Sequence, residues 1–243
     1  APSPVTSLLH AAVLVKIGVF AYARLFVLTF SIDPVFTVIV PVIAAVSALV
    51  SAGCAMMATD IKRVVAYSTI SQLAFILLGL SSGSRIGFAG GLLYILAHSM
   101  AKAGLFLCCG IVEHNLHTKD MTKMGGLART MPKTAVAFAL CALSVMGIPP
   151  FSGYFAKYLV ISGEVDAGHP VIAAVFILGA VMTIMYLVRL FAKVFLGPCR
   201  NPESCEGNGQ MVGSVLTLAV LSLLLGLLIF LPSGLITLAM EAM

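Results

Sequence analysis

The chain has 243 residues, of which 60% are hydrophobic and 9% charged. Soluble domains carry about 25% charged residues, so a water-exposed globular fold is excluded and lipid is the expected solvent. The formal net charge of +5 would suggest nucleic acid in a soluble protein, but here the placement of the basic residues explains it and no nucleic-acid partner is expected.

The apolar runs divide into about seven spans. The chain opens with Ala1-Pro2-Ser3-Pro4 and shows no signal peptide, which reads as the middle of a longer polypeptide. The first span covers about residues 5–30 and ends at Ser31-Ile32-Asp33-Pro34. The second, about 35–57, is started or kinked by Pro41. A polar turn, Ala58-Thr59-Asp60, precedes the third span at about 61–80, with Thr59 or Asp60 as its N-cap. The fourth runs about 86–113 and is followed by a polar connection, 114–132. The sixth and seventh lie at about 170–195 and 211–236, joined by the exposed loop GPCRNPESCEGNGQ.

The fifth span, 133–163, is the unusual one. Gly147-Ile148-Pro149-Pro150 interrupts it and Lys157 follows the interruption. Prolines remove backbone donors and free carbonyls one turn earlier. In lipid such a break persists only where protein or water satisfies those groups. A lysine inside a span costs roughly 2.5–3.5 kcal/mol on insertion scales. The fold class is therefore all-α: a polytopic membrane protein of about seven transmembrane helices, one of them discontinuous (133–163). Lys62, Arg63, Lys119, Lys123, Arg129, Lys133, Lys193 and Arg200 fall on one side, with Arg85 and Arg24 on the other. The positive-inside rule makes the first side cytoplasmic. It puts the N-terminal end of this segment in the cytoplasm and the C-terminus on the outer face of an inner or cytoplasmic membrane.

Several ionisable residues stand inside these spans. Lys16 lies near the middle of the first, with His10 one turn into it, and His98 and Lys102 lie near the middle of the fourth. Tyr94, His98 and Lys102 are four apart and share a helix face. Ser68, Ser71 and Gln72 share a face of the third span, and Tyr186, Arg189 and Lys193 run along the sixth. Snorkelling of long stems to the interface accounts for Lys193, Arg24 and Arg189, but not for Lys16 or Lys102, which sit too far from either end. A lone buried histidine is ordinarily a core residue; His98 stands one turn before Lys102, which favours function. Ser68, Ser71 and Gln72 fit helix-packing hydrogen bonds and a water file equally well.

Proton transfer suits this set. Two lysines about 8 Å apart at an effective dielectric of about 20 repel by roughly 2 kcal/mol, so charging one favours discharging the next. Histidine relays between them. Asp33, Asp60, Glu113, Glu164 and Asp166 lie at span ends or in loops, so no carboxylate stands mid-span for a dedicated Na⁺ site. No metal or cofactor is expected in this chain. His114 and His117 with Glu113 read as exposed residues at a helix end, and Cys199 with Cys205 as reduced loop thiols. The other four cysteines lie in apolar runs, no C-x-x-C pair exists, and no redox or nucleophilic site is visible.

Five stretches in combination carry a resemblance: PSPVTSLLHAAVLVKIGVFAYARL, TDIKRVVAYSTISQLAFILLGL, LAHSMAKAGLFLCCG, HTKDMTKMGGLARTMP and IPPFSGYFAKYLVI. Over roughly residues 2–160 the chain resembles the antiporter-like, proton-pumping membrane subunits of NADH:quinone oxidoreductase (complex I). That family includes Mrp-type Na⁺/H⁺ antiporter subunits and the large membrane subunits of energy-converting and formate-linked hydrogenases. HNLHTKDMTKMGGLARTMP leans toward the hydrogenase-linked or Mrp-like members.

The resemblance implies about fourteen helices with two inverted five-helix repeats, of which this chain looks like the eighth helix onward. Residues 1–30 would be the last helix of the first repeat, 31–196 the second repeat, and 197–243 a polar loop with the terminal helix. It further implies that Lys16 is the central lysine, that His98 and Lys102 belong to the polar axis, and that Lys157 is its exit residue. Partners would be other membrane subunits and, through them, a redox module. The implied function is proton translocation driven by that module; the alternatives are a Mrp-type Na⁺/H⁺ antiporter subunit without redox coupling and a non-conducting scaffold fragment.

Overall fold

The computed structural model describes residues 14–27, 29–30 and 33–241. Among these the chain is helical, with no strand beyond an isolated Asp60–Asp120 bridge. The longer helices are α1 (Leu14–Tyr22, continued by a π turn, Ala23–Val27), α2 (Phe36–Met57), α3 (Ile61–Ser81) and α4 (Arg85–Leu116). Then come α5 (Pro132–Met146), α6 (Ser152–Asp166), α7 (Pro170–Phe195), α8 (Gly209–Leu227) and α9 (Phe230–Glu241). Five of these, α2, α3, α4, α7 and α8, are long and apolar enough to cross a bilayer. The half-helices α5 and α6 follow one another in the chain, and both pack on α4.

Local signals explain the boundaries. The Asp60 carboxylate accepts the free N–H groups of Lys62 (2.8 Å) and Arg63 (3.1 Å) and starts α3. Ser84 caps α4 in the same way, and His117 closes it in the left-handed conformation. Pro132 and Pro170 occupy first-turn positions of α5 and α7, where a missing N–H costs nothing.

Helix α4 is the hub, packing on α6, α3, α5 and α8. Its approach to α6 is limited by backbone: a Cβ on Gly163 would lie 2.3 Å from the Gly87 Cα. Such close contact between small residues is how membrane helices gain packing energy without a hydrophobic drive. The outward faces of α2 (Val42, Ile43, Val46, Val50) and α7 (Ile177, Leu178, Met185, Val188) are exposed and wholly apolar. A surface of that kind belongs against lipid or another membrane subunit.

Of the two roles open to Pro41, starting the second span is not the one it takes, because α2 begins at Phe36 and carries Pro41 in its interior. Two expectations need correction. The seventh span is not continuous: α8 ends at Leu227 and α9 begins at Phe230, as Pro232 cannot donate to the Leu228 carbonyl and would clash with it. The loop after α7 is not merely exposed. Its Glu206 carboxylate accepts from the backbone N–H groups of Lys133 (2.6 Å) and Thr134 (3.3 Å) and from the Thr134 hydroxyl (2.9 Å), capping α5 across the chain. Nearby, the backbone N–H and hydroxyl of Thr122 hold the Asp120 carboxyl below the usual carboxylate range.

Candidate functional site

The break between α5 and α6 is built from its sequence. Gly147 adopts φ +81° and closes α5, its N–H reaching the Leu143 and Ser144 carbonyls, while the Ile148 N–H also returns to Leu143. Continuing the helix would require N–H donors from residues 149 and 150 for the Val145 and Met146 carbonyls. Both positions are proline. Those two carbonyls are the ones that the Lys157 ammonium takes, at 2.8 and 3.3 Å. A cation there also meets the negative end of the α5 dipole. Lys157 is 5% exposed, with its Nζ 4.8 Å from the Phe75 ring centroid and 5.9 Å from that of Tyr94. The positive φ favours glycine at 147, and a Cβ there would also press on Lys157 Cδ at 2.9 Å and displace it.

From Lys157 a polar layer continues across α4. The Tyr94 ring meets His98 edge-on with centroids 6.2 Å apart. His98 is 1% exposed, and neither of its ring nitrogens has a hydrogen-bond partner. One turn further, Lys102 is fully buried and donates to the Ser68 hydroxyl and the Val65 carbonyl of α3. On the other side, Lys16 of α1 donates to the hydroxyl of Ser99, the residue after His98. Lys16, His98, Lys102 and Lys157 thus form one buried layer drawn from three helices. Among the described residues, each of the three lysines has only neutral hydrogen-bond acceptors.

A second network runs beside it. Tyr94 donates to Gln72, and the Gln72 amide donates to Thr183 (3.1 Å) and Tyr186 (3.2 Å) of α7. Ser71 is fully buried beside Tyr186. Of the candidates read from the sequence, His10 lies outside the described residues; the others are brought to this layer or its edge. Arg189 does not snorkel: it donates to the Met56 and Ala58 carbonyls and caps the end of α2. Among the described residues no group of three or more His, Cys, Asp and Glu side chains is arranged to hold a metal ion.

A family model described as "NADH:quinone oxidoreductase/Mrp antiporter, TM" matches residues 1–183. The chain belongs to this family. It is 32% identical over 229 residues to a Na(+)/H(+) antiporter protein of Alkalihalophilus pseudofirmus, covering 93% of this chain and 46% of that protein. It is 36% identical over 236 residues to the NADH-quinone oxidoreductase subunit L of Mycobacterium tuberculosis, covering 93% of this chain and 36% of that one. The chain thus spans less than half the length of these two relatives. Its fold matches a chain in the structure of the Mrp complex from Dietzia sp. with a TM-score of 0.87 at 27% identity, over 96% of this chain and 53% of that chain.

As a member of the antiporter-like family, the chain also carries residues that sequence reasoning passed over. Ser99 and Thr183 are partners of Lys16 and Gln72; adjacency to His98 and to the Tyr186 turn were the available signals. Glu164 reads as a span-end residue, yet its side chain is fully buried and lies 3.1 Å from His169 Nδ1. Nothing in the local sequence distinguishes it from a surface carboxylate.

Proposed function

We propose that this chain is a proton-conducting part of a membrane pump, with protons passing along Lys16, His98, Lys102 and Lys157. The observation that carries the reading is the layer itself: three lysines and a histidine buried side by side, with no carboxylate among the described residues bonded to any of the lysines. Several ammonium groups packed among neutral acceptors repel one another, so a stable layer holds some of them as neutral amines. A neutral amine beside an ammonium is a proton acceptor beside a donor. Ser68, Ser99 and Tyr94 supply hydroxyls at the layer, and the two unbonded ring nitrogens of His98 can take and give a proton. Gln72 and Ser71 extend the polar surface toward α7.

The five crossings from Phe36 to Phe195, one of them broken, would act as one repeat. With the basic loops in the cytoplasm, Lys157 would pass protons toward the outer face. Other membrane subunits would cover the apolar faces, and a redox module acting through them would drive the movement. Relationship to a Na(+)/H(+) antiporter protein supports a second reading, in which an ion gradient replaces the redox step. This chain carries the proton arm in both readings.

The test is proton translocation by the intact parent complex in liposomes, with Lys102→Ala and Lys157→Ala. Each is expected to slow proton flux by about a hundredfold, the scale for removing a positioned acid–base group. Wild-type flux in both variants would reduce the chain to a scaffold.

A further inference from the structure

Resting on the proton-conducting reading, we propose that Glu164, paired with His169, is the outer proton-holding group of this chain. It lies seven residues after Lys157 on α6, which puts it on the same helix face about 10 Å nearer the far end. There the chain turns from α6 into α7, beside the start of α4, where the Ser84 hydroxyl donates to Asp166 (2.8 Å).

Three observations separate Glu164 from an ordinary helix-end carboxylate. Its side chain is fully buried, whereas that of His169 is 24% exposed, so the pair links the interior to the surface. One carboxylate oxygen faces His169 Nδ1 at 3.1 Å, while the other, Oε2, is buried with no hydrogen-bond partner. The pairing is also fixed by backbone, because the His169 N–H donates to the Glu164 carbonyl (3.0 Å). A buried carboxylate oxygen with no partner is costly as an anion and well suited to receive a proton.

Between the two groups stands Val160, fully buried on the same face, with the Gly90 backbone close against it. Val160 separates the two groups, so a proton passes from Lys157 to Glu164 only when water bridges past it. The step moves one proton and no electrons: Lys157 ammonium becomes amine as the Glu164 carboxylate becomes acid. Release follows through His169. Other charged or titratable groups near this end are Asp166 of α6 and Arg85 of α4.

The experiment measures proton flux by the intact complex in liposomes with Glu164→Gln beside Lys157→Ala. Glutamine keeps the shape and an acceptor for His169 but cannot take a proton. Glu164→Gln is expected to lower flux by about a hundredfold at unchanged assembly. Wild-type flux in Glu164→Gln with loss in Lys157→Ala would overturn this inference alone. Wild-type flux in both would overturn the proton-conducting reading as well. Should Glu164→Gln fail to assemble, the wild-type complex can be treated with dicyclohexylcarbodiimide, which adds to protonated carboxyls in apolar surroundings. Labelling of Glu164 that tracks loss of flux supports the proposal; an unlabelled Glu164 in an inhibited complex overturns it.

Discussion

The two ends of α5 are capped by the same physics in different solvents. At its N-terminus the Glu206 carboxylate, more than seventy residues away in sequence, takes the free N–H groups of Lys133 and Thr134. At its C-terminus the Lys157 ammonium takes the free carbonyls of Val145 and Met146. Glu206 opposes the helix dipole with a full charge, and Lys157 does so whenever it is protonated. The first lies where the chain meets water, and such a cap contributes about 1 kcal/mol. The second is buried among the packed helices, where a neutral donor would satisfy the same carbonyls without the cost of burying a charge. Structural need explains Glu206 completely and explains Lys157 only in part. The remainder is what the proton-transfer reading accounts for.

Substitutions sharpen that contrast. Gly147→Ala should have the largest structural effect: it forces the left-handed conformation on a residue with a Cβ, at about 1–2 kcal/mol, and pushes Lys157 Cδ from 2.9 Å. Both the thermal midpoint of the purified complex and its proton flux should fall. If flux is untouched, the position of Lys157 is not critical. Glu206→Ala should lower stability by about 1 kcal/mol and leave proton flux per turnover unchanged. A flux defect there would show that the two caps are coupled through α5. Glu206→Gln, which keeps one acceptor oxygen, should cost about half as much or less in the same melting measurement. Asp60→Ala removes a comparable surface cap from α3 and should lower stability by about 0.5–1 kcal/mol, again without changing flux.

What could be read from sequence was local in the chain. The break at Gly147-Ile148-Pro149-Pro150, the Asp60 cap and the Tyr94–His98–Lys102 stripe each follow from residues within a turn or two of one another. The partners of those residues were not legible, because they come from distant segments. Gln72 meets Thr183 and Tyr186 more than a hundred residues on, and Lys16 meets Ser99. Glu164 was hidden for another reason. A carboxylate near a helix end reads as surface, and only the tertiary packing around α6 buries it. The division of the seventh span was legible in principle from Pro232, whose effect falls four residues earlier, at Leu228.

The most direct measurement is proton flux in the intact complex carrying Lys157→Gln, compared with Lys157→Ala and wild type. Glutamine can donate to the Val145 and Met146 carbonyls but cannot carry a proton. The expected result is flux as low in Lys157→Gln as in Lys157→Ala, with the glutamine variant the more stable of the two. Flux restored to the wild-type level by glutamine would mean that Lys157 is a helix cap and nothing more.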